Sequence, residues 1–241
     1  MTLLKKKPFS AMALRYLALL LMLMDHSWYA IFKPAAPWMT CLGRLAMPIF
    51  AFQIAQGYFH TSNLKKYALR LLMFGVISEI PFNLFTAADF VNSGHQNVMF
   101  TLLLGLVALH LLMCTLEKNV YYRMAAVLAF AMIYIAADLL YLDYGGIGVT
   151  MVVMFGLTKD RKFEKLLQAV CLLLISIYTP GRTMQIGSVV FSIQIFAVFA
   201  LIPIWLYNGK RGSKNKFLQY GAYLFYPAHL GGLAVLRRLF F

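Results

Sequence analysis

The chain has 241 residues, of which 62% are hydrophobic and 12% charged, with a formal net charge of +14 and a mean hydropathy of +0.74. A soluble domain carries roughly 25% charged residues, so this composition excludes a water-soluble globule. The lysines and arginines are spread between apolar runs instead of gathering on one polar face, which argues against nucleic acid as a partner and for membrane lipid. Cys41, Cys114 and Cys171 are far apart, match neither a metal spacing nor a disulfide framework, and read as packing residues.

Nine apolar segments follow in order: 11–32, 41–59, 67–85, 97–116, 121–142, 144–158, 165–180, 187–207 and 217–240. A bilayer core takes roughly 20 apolar residues per helix, so the sixth and seventh segments are short and read as little-tilted or re-entrant. The expected fold is an all-α integral membrane bundle of about nine transmembrane helices enclosing a polar cavity, with residues 1–241 as a single domain and no soluble catalytic domain. The basic start followed by a run of about 22 residues is longer than a signal-peptide core, and it reads as a retained first helix.

Orientation follows from the basic residues. With the N-terminus inside, the clusters at 5–7, 65–70, 118–123, 159–165 and 210–216 face the cytoplasm, and the other side receives only Lys33, Arg44, Arg182, Arg237 and Arg238. A cell-membrane protein with a cytoplasmic N-terminus is expected. No internal repeat of the kind found in secondary transporters is visible.

Ionisable residues inside apolar segments are costly and usually mark a wet interior or a functional site. In the first segment these are Arg15, Asp25 and His26. Arg15 and His26 are eleven positions apart, which returns them to within about 20° of one helix face and separates them by roughly 16 Å. Arg15 also suits simple snorkelling to the headgroups. Arg44 reads either as an interfacial arginine or as a partner for Asp25 or an oxyanion. Glu79 precedes the helix-bending Ile80-Pro81 step and faces inward; Asp138 lies in the outer half of the fifth segment; His229 follows Pro227 in the ninth, where an interhelical hydrogen bond is the plainer reading. His60, His95 and His110 read as peripheral. Asp25, His26, Arg44, Glu79, Asp138 and His229 share one depth, which suggests a single polar centre in the outer half of the membrane, approached past Arg15.

The blocks ALRYLALLLMLMDHSWYAIF, GRLAMPIFAFQIAQGYF, KKYALRLLMFGVISEIPFNLF, HQNVMFTLLLGL, DYGGIGV and YLFYPAHL resemble, in order and over about residues 11–232, the TraX family of membrane proteins, named for a protein that acetylates the N-terminus of conjugative pilin. Glu79 departs from that pattern, which has glutamine before the Ile-Pro step. Arg15 and His26, separated by ten residues, also resemble more distantly the acyltransferase family 3 and heparan-α-glucosaminide N-acetyltransferase group. The resemblance implies transfer of an acetyl group from cytoplasmic acetyl-CoA to a hydroxyl or amine at or beyond the outer side. It gives Arg15 to the CoA phosphates and His26 to general-base work, with a carboxylate as its orienting partner. Glu79 or Asp138 suits that task better than Asp25, because adjacent helical side chains diverge by about 100°. Arg44 is then the partner of a tetrahedral oxyanion. The acceptor class stays open between a glycan, a peptide and a pilin-like chain, and no metal is expected. Two other classes compete: a proton-coupled secondary transporter or flippase, since buried Asp, Glu and His also relay protons, and a non-catalytic assembly protein.

Overall fold

A computed structural model describes residues 7–179, 183–186, 188–213 and 215–240. Lys5, Lys6, Arg182 and Lys214 of the orientation argument lie outside these residues.

The first segment is helix α1 (Ala11–Ser27), started by the Ser10 hydroxyl accepting from the Ala13 amide, and it runs on as a π-helical turn over Trp28–Phe32. The second is two helices, α2 (Trp38–Gly43) and α3 (Ala46–His60), with a break at Arg44 and Leu45 that leaves Pro48 in the first turn of α3, where a missing N–H costs nothing. Next come α4 (Leu64–Thr86, containing Pro81), α5 (Val98–Thr115) and α6 (Val120–Leu139), each capped at its N-terminus by an asparagine: Asn63, Asn97 and Asn119. Helices α7 (Gly145–Thr158) and α8 (Glu164–Tyr178) follow, and α10 (Lys216–Phe240, containing Pro227) closes the described chain.

Segment 187–207 is the departure. It opens with strand β2 (Val189–Ser192), which pairs antiparallel with β1 (Thr183–Ile186), and continues as a 3-10 helix (Ile193–Ala200) and the short α9 (Leu201–Trp205). The paired Val189 and Val190 are β-branched and suit a strand, a preference that hydropathy does not register. The fold is otherwise mostly helical. Among the described residues, four helical stretches are long and apolar enough to cross a membrane: Trp38–His60, Leu64–Thr86, Val98–Thr115 and Val120–Leu139. The sequence thus offers nine apolar segments, of which the described residues confirm four stretches as helices of spanning length and hydropathy. Helix α1 passes into a π turn, α7 and α8 have 14 and 15 residues, and α10 is long but amphipathic.

Helix α7 is the axis of the core. Its residues from Val149 to Gly156 are buried apart from Thr150, and it packs against α3, α5, α6 and α8. Small residues let α5 and α7 approach closely, the usual device where no hydrophobic effect drives helices together in lipid. A Cβ on Gly105 would lie 2.7 Å from Val152 Cγ2 and 2.8 Å from its rigid Cβ, and one on Gly156 would lie 2.2 Å from a Leu109 methyl. Gly105→Ala is accordingly expected to cost about 1–3 kcal/mol through overpacking, read as a lower thermal midpoint of the detergent-solubilised protein. Gly221→Ala, which meets nothing within 4 Å, serves as the unchanged control. On the far side, α6 exposes Val127, Leu128, Met132 and Ile135, an apolar face for bilayer tails. Helix α10 packs against both α4 and α1, and these three helices form the walls of the site.

Candidate functional site

The polar centre consists of two adjacent pairs on α1. Asp25 and Arg44 form an ion pair with Nη2 to Oδ2 at 2.5 Å, and the Thr40 hydroxyl donates to the other carboxylate oxygen at 2.6 Å. Arg44 also reaches the Tyr144 hydroxyl through Nη1 and the Thr40 carbonyl through Nε, both at 3.4 Å. The carboxylate is thus fully engaged in joining α1 to α2 and to the start of α7. Gly43 is required here, because any Cβ would sit 2.3 Å from Asp25 Cβ.

His26, on the neighbouring face of α1, meets α10. Its Nδ1 lies 2.8 Å from His229 Nε2, and His229 Nδ1 lies 2.8 Å from the Phe225 carbonyl oxygen, with the two rings only 4° from parallel. A carbonyl only accepts, so His229 carries its proton on Nδ1 and accepts at Nε2. His26 must then donate from Nδ1, and its Nε2 presents a lone pair. Among the described residues no group hydrogen-bonds that nitrogen; the Phe85 ring packs against the imidazole at 5.2 Å. The partner that fixes the tautomer is therefore a second histidine, 203 positions away, and not a carboxylate.

The other expected partners are occupied elsewhere. Glu79 accepts from the Asn97 side-chain amide at 2.5 Å, tying α4 to the start of α5, and its second oxygen is buried without a partner. Asp138 accepts from the Gly146 amide at 2.8 Å and so satisfies the first turn of α7. Neither contacts His26.

Outside the helices, Gln96 pairs through its backbone with Tyr141 and Asp143, and His95 sits 3.6 Å from the Asp143 carboxylate. Asp143 holds the His95 imidazole above its ordinary pKa, against the opposing pull of partial burial. A pKa raised by folding stabilises the contact below the unfolded value and releases it as pH rises through the folded value. Protection of the Gln96 and Asp143 amides, corrected for intrinsic exchange, is expected to fall as pH climbs past the ordinary histidine range of about 6.5. It should be flat across that range in His95→Gln.

At the N-terminal end of α1 a cavity of about 680 Å³ opens between α1, α3, α4 and α10. Arg15, Lys66, Arg70 and Arg211 make it basic, and Tyr67, Tyr220 and Tyr223 supply rings. Arg15 donates from Nε to Gln53 at 3.3 Å, Gln53 donates to the Ala11 carbonyl at 3.2 Å, and the guanidinium lies over the Tyr223 ring at 5.8 Å. A Cβ on Gly57 would meet the Tyr67 hydroxyl at 2.6 Å, so glycine keeps this wall open. A smaller hollow of about 80 Å³ shares Arg15, Gln53, Tyr67 and Tyr223 with it and is otherwise apolar, reaching Leu19, Met22 and Tyr226. Arg15, Leu19, Met22 and His26 step along α1 at i, i+4, i+7 and i+11, one continuous stripe. Tyr226, at the far end of the hollow, contacts the His229 ring at 5.7 Å. Lys66 and Arg70 are legible in sequence only as topological charges, and Gln53 and Tyr223 carry no signal of their own.

These features define a membrane protein in which spanning-length helices accompany an internal histidine pair and, at the other end of the same α1 stripe, a basic cleft. The chain matches the family described as TraX protein over residues 10–237 and belongs to that family. It is also similar to the probable fimbrial assembly protein FimC, serogroup H1, of Dichelobacter nodosus, with 33% identity over 243 residues covering 92% of this chain and 93% of that protein. No solved structure matches.

Proposed function

We propose that this protein is a membrane acetyltransferase that moves an acetyl group from cytoplasmic acetyl-CoA to an amine or hydroxyl presented at the opposite side of the cell membrane, with pilin-like chains as the acceptor class to which the fimbrial relative points. The observation that carries the reading is the lone pair of His26 Nε2, oriented by His229, at the top of a helix stripe that begins in the basic cleft at Arg15. Arg15, Lys66 and Arg70 receive the CoA phosphates, for which guanidinium forks and ammonium groups are suited. The pantetheine arm follows the apolar hollow, and the rise of roughly 16 Å from Arg15 to His26 is a length it spans.

In the chemical step His26 Nε2 takes the proton of the acceptor as its nitrogen or oxygen attacks the thioester carbonyl. The tetrahedral oxyanion collapses, the carbon–sulfur bond breaks, and the proton on Nε2 passes to the departing thiolate, so that free CoA leaves. Arg44, held on one edge by Asp25, is the cation assigned to the oxyanion.

The test is saturable acetyl-CoA binding by purified protein in nanodiscs. Arg15→Ala is expected to weaken binding by about 10- to 100-fold, the loss of one charge-assisted contact. A folded protein with no saturable binding, or unchanged binding in Arg15→Ala and Lys66→Gln alike, removes CoA as the donor and returns the transporter reading to the front.

A further inference from the structure

The end of the bundle that carries the histidine pair has few basic residues, and three of them converge. Lys33, just beyond the π-helical turn of α1, and Arg237, near the end of α10, both lie over the ring of Tyr29, at 5.9 and 5.7 Å from its centroid. Arg238 donates to the Ala88 carbonyl at 2.8 Å and fastens the start of the 87–97 connection beside them. Two cations on one ring repel each other, and a carboxylate neighbour would be the ordinary remedy.

The protein supplies none among the described residues. No acidic residue at this end forms an ion pair with Lys33 or Arg237: Asp25 pairs with Arg44 and Asp143 with His95, while Glu79, Asp89 and Asp138 accept from the Asn97 side chain and from the Phe90 and Gly146 amides. Lys33 and Arg237 are both exposed. The patch is also continuous with the reacting centre, for Tyr29 packs on Phe85 at 5.5 Å and Phe85 on His26 at 5.2 Å.

We infer that Lys33 and Arg237 form an anion-receiving lip for the acyl acceptor, which therefore carries an acidic group close to the atom that is acylated. The inference rests on the acyl-transfer reading for what the lip serves. A carboxylate received at this lip balances the local positive charge and gains charge-assisted hydrogen bonds, and it registers the acceptor against His26. Tyr29 engages both cations through its ring.

The test uses the full chain in phosphatidylcholine nanodiscs and two fluorescent peptides that are identical except that glutamates near the free N-terminus of one are glutamines in the other, with binding read by anisotropy. The acidic peptide is expected to bind about tenfold tighter, and this preference should vanish in Lys33→Gln/Arg237→Gln, survive in Lys33→Arg and survive in His26→Ala. Equal binding of the two peptides, no binding of either, or a preference untouched by the double variant overturns the proposal. So does a double variant whose sole defect is lost enrichment of phosphatidylglycerol in mixed nanodiscs, which makes the lip a lipid headgroup site. Because anisotropy needs no turnover, a preserved preference without acetyl transfer to either peptide defeats the acyl-transfer reading and leaves the anion site standing.

Discussion

His26→Ala is expected to lower acetyl transfer by about 10²- to 10⁴-fold, the usual contribution of a positioned general base, while acetyl-CoA still binds in the cleft and the protein keeps its thermal midpoint. The same change at His229 is expected to be milder, because His229 acts through His26 and does not meet the acceptor. Two readouts separate this positioning role from a merely structural one. His229→Gln offers a side-chain oxygen to the Nδ1–H of His26 and should recover part of the activity that His229→Ala loses. The double alanine variant should be little worse than His26→Ala alone, since groups acting as one unit are not additive. Normal turnover in a folded His26→Ala protein would exclude the histidine pair as the reacting centre and favour an assembly role.

The second large effect concerns stability. Asp25 and Arg44 expose only 17% and 19% of their side chains, so removing either one leaves an uncompensated charge. Arg44→Met or Asp25→Leu alone is expected to destabilise the protein by about 3–5 kcal/mol. Replacing both together removes the unpaired charge and should restore most of the loss, because a well-packed apolar pair is often neutral relative to a buried ion pair. Denaturant or thermal unfolding in detergent checks this. Restored stability without restored turnover in the double variant would mark Arg44 as serving the reaction as well as the fold. Full recovery of turnover would remove it from the oxyanion role.

Most of the helical framework is legible in the sequence, because long apolar runs with basic ends leave few other solutions; α4 and α6 fall within a few residues of their apolar segments. What hydropathy does not carry is period and pairing. It reads 187–207 as one span, although Val189 and Val190 belong to a hairpin and Ile193–Ala200 to a 3-10 turn. The site divides along the same line. Arg15, Asp25 and His26 stand out because each is ionisable in an apolar run, and opposite charge alone makes Arg44 a partner for Asp25. The orienting partner of His26 is legible only as one polar residue among several, since the choice of His229 over Glu79 or Asp138 depends on α1 packing against α10, a contact between helices at opposite ends of the chain. Gln53 and Tyr223 acquire meaning only when folding lays them against Arg15.

The Phe225 carbonyl that terminates the histidine pair has a bioenergetic consequence. A bundle holding a wide basic cleft at one end and ionisable groups near the other invites protons to run down the membrane potential, about 2.3 kcal/mol per charge for each 100 mV. Here the row of exchangeable protons runs from His26 Nδ1 to His229 and stops at a carbonyl oxygen, which has no proton to pass on. Whatever proton His26 Nε2 accepts has to leave by the nitrogen through which it entered. In the proposed reaction the row is a cul-de-sac: it holds a charge for the lifetime of an intermediate and returns it to the same pocket, and among the described residues the histidine pair offers no conducting route by which a proton gradient would drain.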